Sequence, residues 1–150
     1  MSLLFAALLL APAPAAETPR AFVERLYAGY RRPDYDPLAD PARIFAPSLV
    51  EAIAEDSRFS RDEVGYMDAD PFCQCQDPAG LRPLVREVRR SGRSAATAHI
   101  LLRFPGSDRR DLSLRLVRTG AGWRVADLST ADEPSLLDSL RRFNRRRSRP

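Results

Sequence analysis

In Ser94-Ala95-Ala96-Thr97-Ala98-His99-Ile100-Leu101-Leu102-Arg103-Phe104, every even position from Ala96 to Phe104 is apolar, while Thr97, His99 and Arg103 stand at odd positions. A period of two sustained over this length is that of a strand with one face buried. Downstream, Leu112, Leu114 and Leu116 alternate with Asp111, Ser113 and Arg115, and Gly122 to Leu128 supplies a third strand led by Trp123 and Val125. Upstream, Leu84 to Arg90 gives a weaker fourth. The connections Ser91-Gly92, Pro105-Gly106-Ser107-Asp108 and Gly120-Ala121-Gly122 are short and glycine-bearing, as antiparallel hairpins require. Together they predict a four-stranded antiparallel meander.

Helical periodicity flanks the strands. Thr18-Pro19 pairs an N-cap hydroxyl with proline at the first helical position, and Phe22, Val23, Leu26, Tyr27 and Tyr30 then fall on one face. Asp40-Pro41 repeats that start, with Ile44, Phe45, Leu49, Val50 and Ile53 as the apolar stripe and Pro47 expected to break or kink it. Asp132 and Pro134 are expected to open a last helix carrying Leu136, Leu137, Leu140 and Phe143. Helices gathered against one face of an antiparallel sheet make an α+β domain, here expected to be cone-like, with the meander packed against N-terminal helices and a C-terminal helix.

The apolar run Leu3 to Ala11, followed by Pro12-Ala13-Pro14-Ala15-Ala16, has the form of a signal peptide over residues 1–15, cleaved after Ala15. It is too short to span a bilayer, which takes about 20 apolar residues. The expected division is a signal peptide at 1–15, one α+β domain at 17–140 and an arginine-rich tail at 141–150, with a periplasmic or secreted location. All 24 basic residues are arginine, and six of them, Arg141, Arg142, Arg145, Arg146, Arg147 and Arg149, lie in that tail. The other eighteen are outnumbered by 20 acidic residues, so the net charge of +4 belongs to the tail and not to the body. The tail is expected to be a frayed, solvated helix end with weak contact to anionic surfaces. No nucleic-acid partner is expected, because no aromatic residue follows Phe143 for base stacking.

Chemistry is densest in Tyr66-Met67-Asp68-Ala69-Asp70-Pro71-Phe72-Cys73-Gln74-Cys75-Gln76-Asp77, which has no period and is placed in a loop. An EF-hand is excluded. With Asp68 and Asp70 at its first and third positions, Phe72, Cys73 and Ala79 would occupy places that need an oxygen ligand, a glycine and a glutamate. The aspartates instead suit backbone N–H acceptance within the loop, and neither metal nor cofactor is expected. Cys73 and Cys75 admit three readings: a local structural disulfide or inert thiols, a redox pair, or two ligands of a soft metal. No nucleophile elbow, P-loop or zincin motif occurs.

The pattern Asp68-x-Asp70-Pro71-Phe72-x-x-x-Gln76-Asp77 resembles the signature of bacterial domain-of-unknown-function family 3828, whose members are mostly small exported proteins. The aromatic first helix, Phe22 to Tyr30, and the strand Trp123-Arg124-Val125 with Asp127 after it extend the resemblance over Thr18 to Leu140. It implies a fold similar to the nuclear-transport-factor-2-like and cystatin-like domains, an exported location and no established reaction. Cys73-x-Cys75 lies outside it.

Beside a thiol redox or metal-binding protein acting through Cys73 and Cys75, two functional expectations follow. The first is a non-enzymatic module that binds a protein or cell-envelope component through Tyr66, Asp68, Asp70, Phe72, Gln76 and Asp77. The second is a cone-fold enzyme or small-molecule binder with a cavity lined by Tyr27, Tyr30 and Trp123. Its acid would be Asp127, which shares the parity of Trp123 and Val125.

Overall fold

The computed structural model describes residues 16–59 and 64–148; the expected signal peptide lies outside them. The chain runs α1 (Pro19–Ala28), α2 (Pro47–Phe59), β1 (Arg82–Ser91), β2 (Ala95–Arg103), β3 (Arg109–Thr119), β4 (Gly122–Ser129) and α3 (Leu136–Arg147). The strands form one antiparallel sheet in the order β1-β2-β3-β4, so the expected α+β meander is the observed architecture.

Alternation does what it promised. Ala96, Ala98, Ile100 and Leu102 of β2 pair with Leu116, Leu114, Leu112 and Arg110 of β3, which puts Leu102, Leu112, Leu114 and Leu116 on one face. The three helices cover that face, and Phe22, Leu49, Leu114, Trp123 and Leu140 are buried in a single core. The other face is exposed and polar at Arg115 and His99. β1 is a sheet edge, blunted by Pro83 and by a bulge between Val85 and Glu87.

Local capping follows the sequence at α1, where Thr18 Oγ1 accepts the Ala21 N–H at 3.1 Å. Around Pro47 the expectation needs correction. Asp40-Pro41 starts only a 3₁₀ turn, Pro41–Arg43, and Ile44 to Ala46 then runs alongside β4. There Ala46 N donates to Val125 O and Val125 N to Ile44 O, both at 2.8 Å. Pro47 does not kink a helix; it begins α2, at a position where a missing N–H costs nothing. Sheet pairing has taken the residues that would have been the first turn.

The last helix starts two residues later than Pro134. Its N-cap is Ser135, whose Oγ accepts the Asp138 N–H at 3.1 Å. At its other end α3 continues through Arg147, so most of the expected tail is helical, and residues 149–150 lie outside the described ones. No helix among the described residues is long and apolar enough to cross a membrane.

Candidate functional site

The loop between α2 and β1 is fastened along its length. At its entry the buried Asp56 of α2 accepts the N–H groups of Tyr66 and Met67 at 2.8 and 3.1 Å. The Tyr66 hydroxyl donates to Glu133, whose other oxygen accepts from Ser139 Oγ at 2.6 Å, and the Tyr66 ring lies 5.5 Å from that of Phe143. Residues before α3 and within it therefore hold the start of the loop.

Asp70 organises the middle. Its Oδ1 accepts the Phe72 N–H at 2.8 Å and its Oδ2 accepts the Tyr30 hydroxyl at 2.5 Å, while its backbone exchanges bonds with Cys75 and Gln74. Pro71, Phe72 and Cys73 are buried. The Phe72 ring stacks on Phe45 at 5.2 Å, and its carbonyl accepts the Tyr27 hydroxyl at 3.1 Å. Cys73 and Cys75 form a disulfide with Gln74 between them in the left-handed region at φ 55°. The Gln74 carbonyl accepts from Arg110, and its amide donates to Pro71 O at 2.6 Å.

What remains outside is a short ridge. Asp68, Gln76 and Asp77 are exposed. Asp77 closes an Asx turn on the Ala79 N–H at 2.9 Å. Asp68 has no hydrogen bond or ion pair among the described residues, and no group of three or more metal-ligating side chains occurs there.

Burial raises the Asp70 carboxyl above its ordinary value of 3.8, against the opposing hydrogen bonds from Tyr30, Phe72 and Cys73. The Tyr30 hydroxyl is pushed far up, by burial first and by the Asp70 charge second. Tyr27 moves the same way for the same causes. These phenols stay protonated and donate, so they hold the loop and do not act as bases.

The aromatic cluster expected to line a cavity is thus not joined to Asp127. Tyr27 and Tyr30 stack at 5.9 Å and point into the loop, and Trp123 is buried with Nε1 donating to Glu17 O at 3.1 Å. Asp127 is not inward-facing. A bulge between Arg115 and Leu116 shifts the register, pairing Leu116 with Val125 but Arg115 with Asp127, on the face away from the leucines. Its carboxylate accepts from Leu128 N at 2.8 Å, Leu137 N at 3.0 Å and Ser135 Oγ at 2.7 Å, with Arg115 at 3.5 Å. It is the outer brace of the α3 N-cap.

On the open sheet face the register aligns Glu87, His99 and Ser113, with His99 Nδ1 2.9 Å from Ser113 Oγ. Glu87 is engaged by Arg89 Nε at 2.6 Å, and within the row His99 is exposed while Glu87 and Ser113 are half-buried.

Beside the loop, α1 and the start of β1 bound a groove of about 890 Å³. Tyr27 and Tyr30 form one apolar wall, and Leu81, Pro83 and Val85 the other. Arg20, Arg25, Arg31 and Arg82 also face it, against the single acid Glu24. Leu84, among the few exposed large apolar side chains, lines it too.

Several of these residues carried a signal that parity exposes. Arg110 falls in the series Leu112, Leu114, Leu116, and Asp56 in the series Leu49, Ala52, Ile53, each a charge at an apolar position. Glu133 and the groove arginines carried none. The fold and the site define a small α+β domain with an acidic, disulfide-tied loop at the sheet margin. No protein-family profile matches the chain, nor does any curated protein or solved structure.

Proposed function

We propose that this chain is an exported, non-enzymatic binding module of the family 3828 type, related in fold to the nuclear-transport-factor-2-like domains. It recognises a protein or cell-envelope partner through the Asp68, Gln76 and Asp77 ridge and the neighbouring groove. The observation that carries this is the occupation of the would-be catalytic groups. Asp127 is committed to α3, Tyr27 and Tyr30 to the loop, and Trp123, Phe22, Phe45 and Phe72 fill the space under the sheet. A site whose donors and acceptors already satisfy one another offers a shaped surface and not a reaction centre. The cysteine pair supports export, since disulfides persist in oxidising compartments. Complete burial of Cys73 favours the structural reading of the pair over a redox one.

The test is site-specific photo-crosslinking in the native host, with a benzophenone amino acid in place of Gln76, Arg82 or His99. The expected result is one discrete protein adduct from Gln76 and Arg82 and none from His99 on the open sheet face. Adducts from His99 alone, or from none of the three, would refute the assignment.

A further inference from the structure

Four arginines of α3 share one exposed face. On α3, Arg141, Arg142, Arg145 and Arg146 are exposed at spacings of one, three and one, an arc opposite the buried Leu136, Leu137, Leu140 and Asn144. The helix that carries them is docked. Asn144 Nδ2 donates to Ala52 O of α2 at 3.0 Å, and the N–H and hydroxyl of Ser148 close the last turn on Asn144 O at 3.0 and 2.9 Å. Among the described residues Arg141, Arg145 and Arg146 have no hydrogen bond or ion pair, and Arg142 reaches only the Ser139 hydroxyl at 2.8 Å. Most other ion pairs of the molecule, such as Arg20 with Glu24 and Arg86 with Asp111, lie on α1 or the sheet. Of the five exposed charged side chains on α3, Arg141, Arg142, Arg145 and Arg146 are cationic and only Asp138 is acidic, on a body that is otherwise slightly acidic.

We infer that this face docks on an anionic lipid surface, each guanidinium engaging headgroup phosphate. The choice of a membrane over a folded protein rests on what the arc lacks. It is the convex side of a helix, and it carries no exposed aromatic or aliphatic anchor of the kind that dominates protein interfaces. Phe143, the nearest ring, is covered by Tyr66 and by the Arg147 guanidinium 4.9 Å above it. Such a face reads charge density and not shape, which suits a fluid sheet of phosphates. With no apolar side chain to insert, attachment is peripheral and reversible. This goes beyond the loop-and-groove reading and stands whether or not that reading holds.

The test is vesicle flotation of the full chain with phosphatidylglycerol–phosphatidylcholine vesicles and with phosphatidylcholine alone, at low and high salt. The neutral vesicles account for any contribution of the apolar first residues. Binding is expected only to the anionic vesicles and is lost at high salt. It should fall on the order of 100-fold in Arg141→Gln/Arg145→Gln/Arg146→Gln and be retained in the matching triple Arg→Lys variant, which keeps the charge. Circular dichroism of both variants should match the parent. Equal binding to neutral vesicles, or a triple Gln variant that floats like the parent, would overturn the inference. So would salt-sensitive binding to a DNA duplex with none to anionic vesicles.

Discussion

Asp70 and Asp127 are the same residue type in the same core periphery, and their surroundings assign them different work. Asp127 has two N–H groups and a hydroxyl aimed at it, and through Ser135 it also fixes the side chain that caps α3. Asp127→Ala should therefore cost about 2 kcal/mol, from unpaired donors and a weakened cap, read as a lower urea midpoint with unchanged slope. An Asp127→Ala protein as stable as the parent would show that the brace is not needed. At Asp70 the folded state binds a proton more readily than the unfolded chain, because burial raises its carboxyl above 3.8. Stability from this group therefore falls as pH rises from that value through the raised one. Tyr30→Phe removes a bond to the charged form, so the titration should move further up and widen that window. A carboxyl carbon titration by NMR checks both directions; a downward shift in the variant contradicts the account.

Among the elements, the strands were legible because a period of two survives any reasonable error in their ends. Position within a strand was less so. One bulge, between Arg115 and Leu116, was enough to turn Asp127 from the core side to the other, and its only trace in the sequence is the change of apolar parity from Trp123 and Val125 to Leu128. Pro47 was legible as an interruption but not as a helix start, since that depended on β4 capturing Ile44 to Ala46. The loop was legible as a concentration of functional atoms, yet nothing local told which of them turn inward. Phe72 does, against Phe45, and Phe72→Ala should cost about 3–5 kcal/mol, with early protease cleavage between Asp68 and Asp77. The disulfide closes a ring of three residues, worth about 1.5 kcal/mol in chain entropy. A double Cys73→Ser/Cys75→Ser variant should thus lose less than Phe72→Ala and remain folded by circular dichroism. The reverse order of stabilities would make the disulfide, and not the ring, the anchor.

At the scale of the whole molecule, the loop is held from three directions: α1 and the 3₁₀ turn after it through Tyr27 and Tyr30, α2 and α3 through Asp56 and the Tyr66 contacts, and β3 through Arg110. Those attachments join residues from 10 to 77 apart in sequence, which is why composition pointed to the loop but could not show that it is fixed. On the proposed function, a ridge held in one shape loses little entropy when a partner arrives. Gly29 belongs to the same support: a Cβ there would clash with the ring of Tyr35, which packs edge-on against Tyr30 at 5.0 Å. Native-state amide hydrogen exchange by NMR tests that fixation most directly. The amides of Phe72 and Gln74, bonded to the Asp70 carboxylate and carbonyl, should open with free energies approaching those of the central strand β2. Exchange of both at the rate of the exposed Gln76 amide would show a loop detached from the core, and would contradict the account.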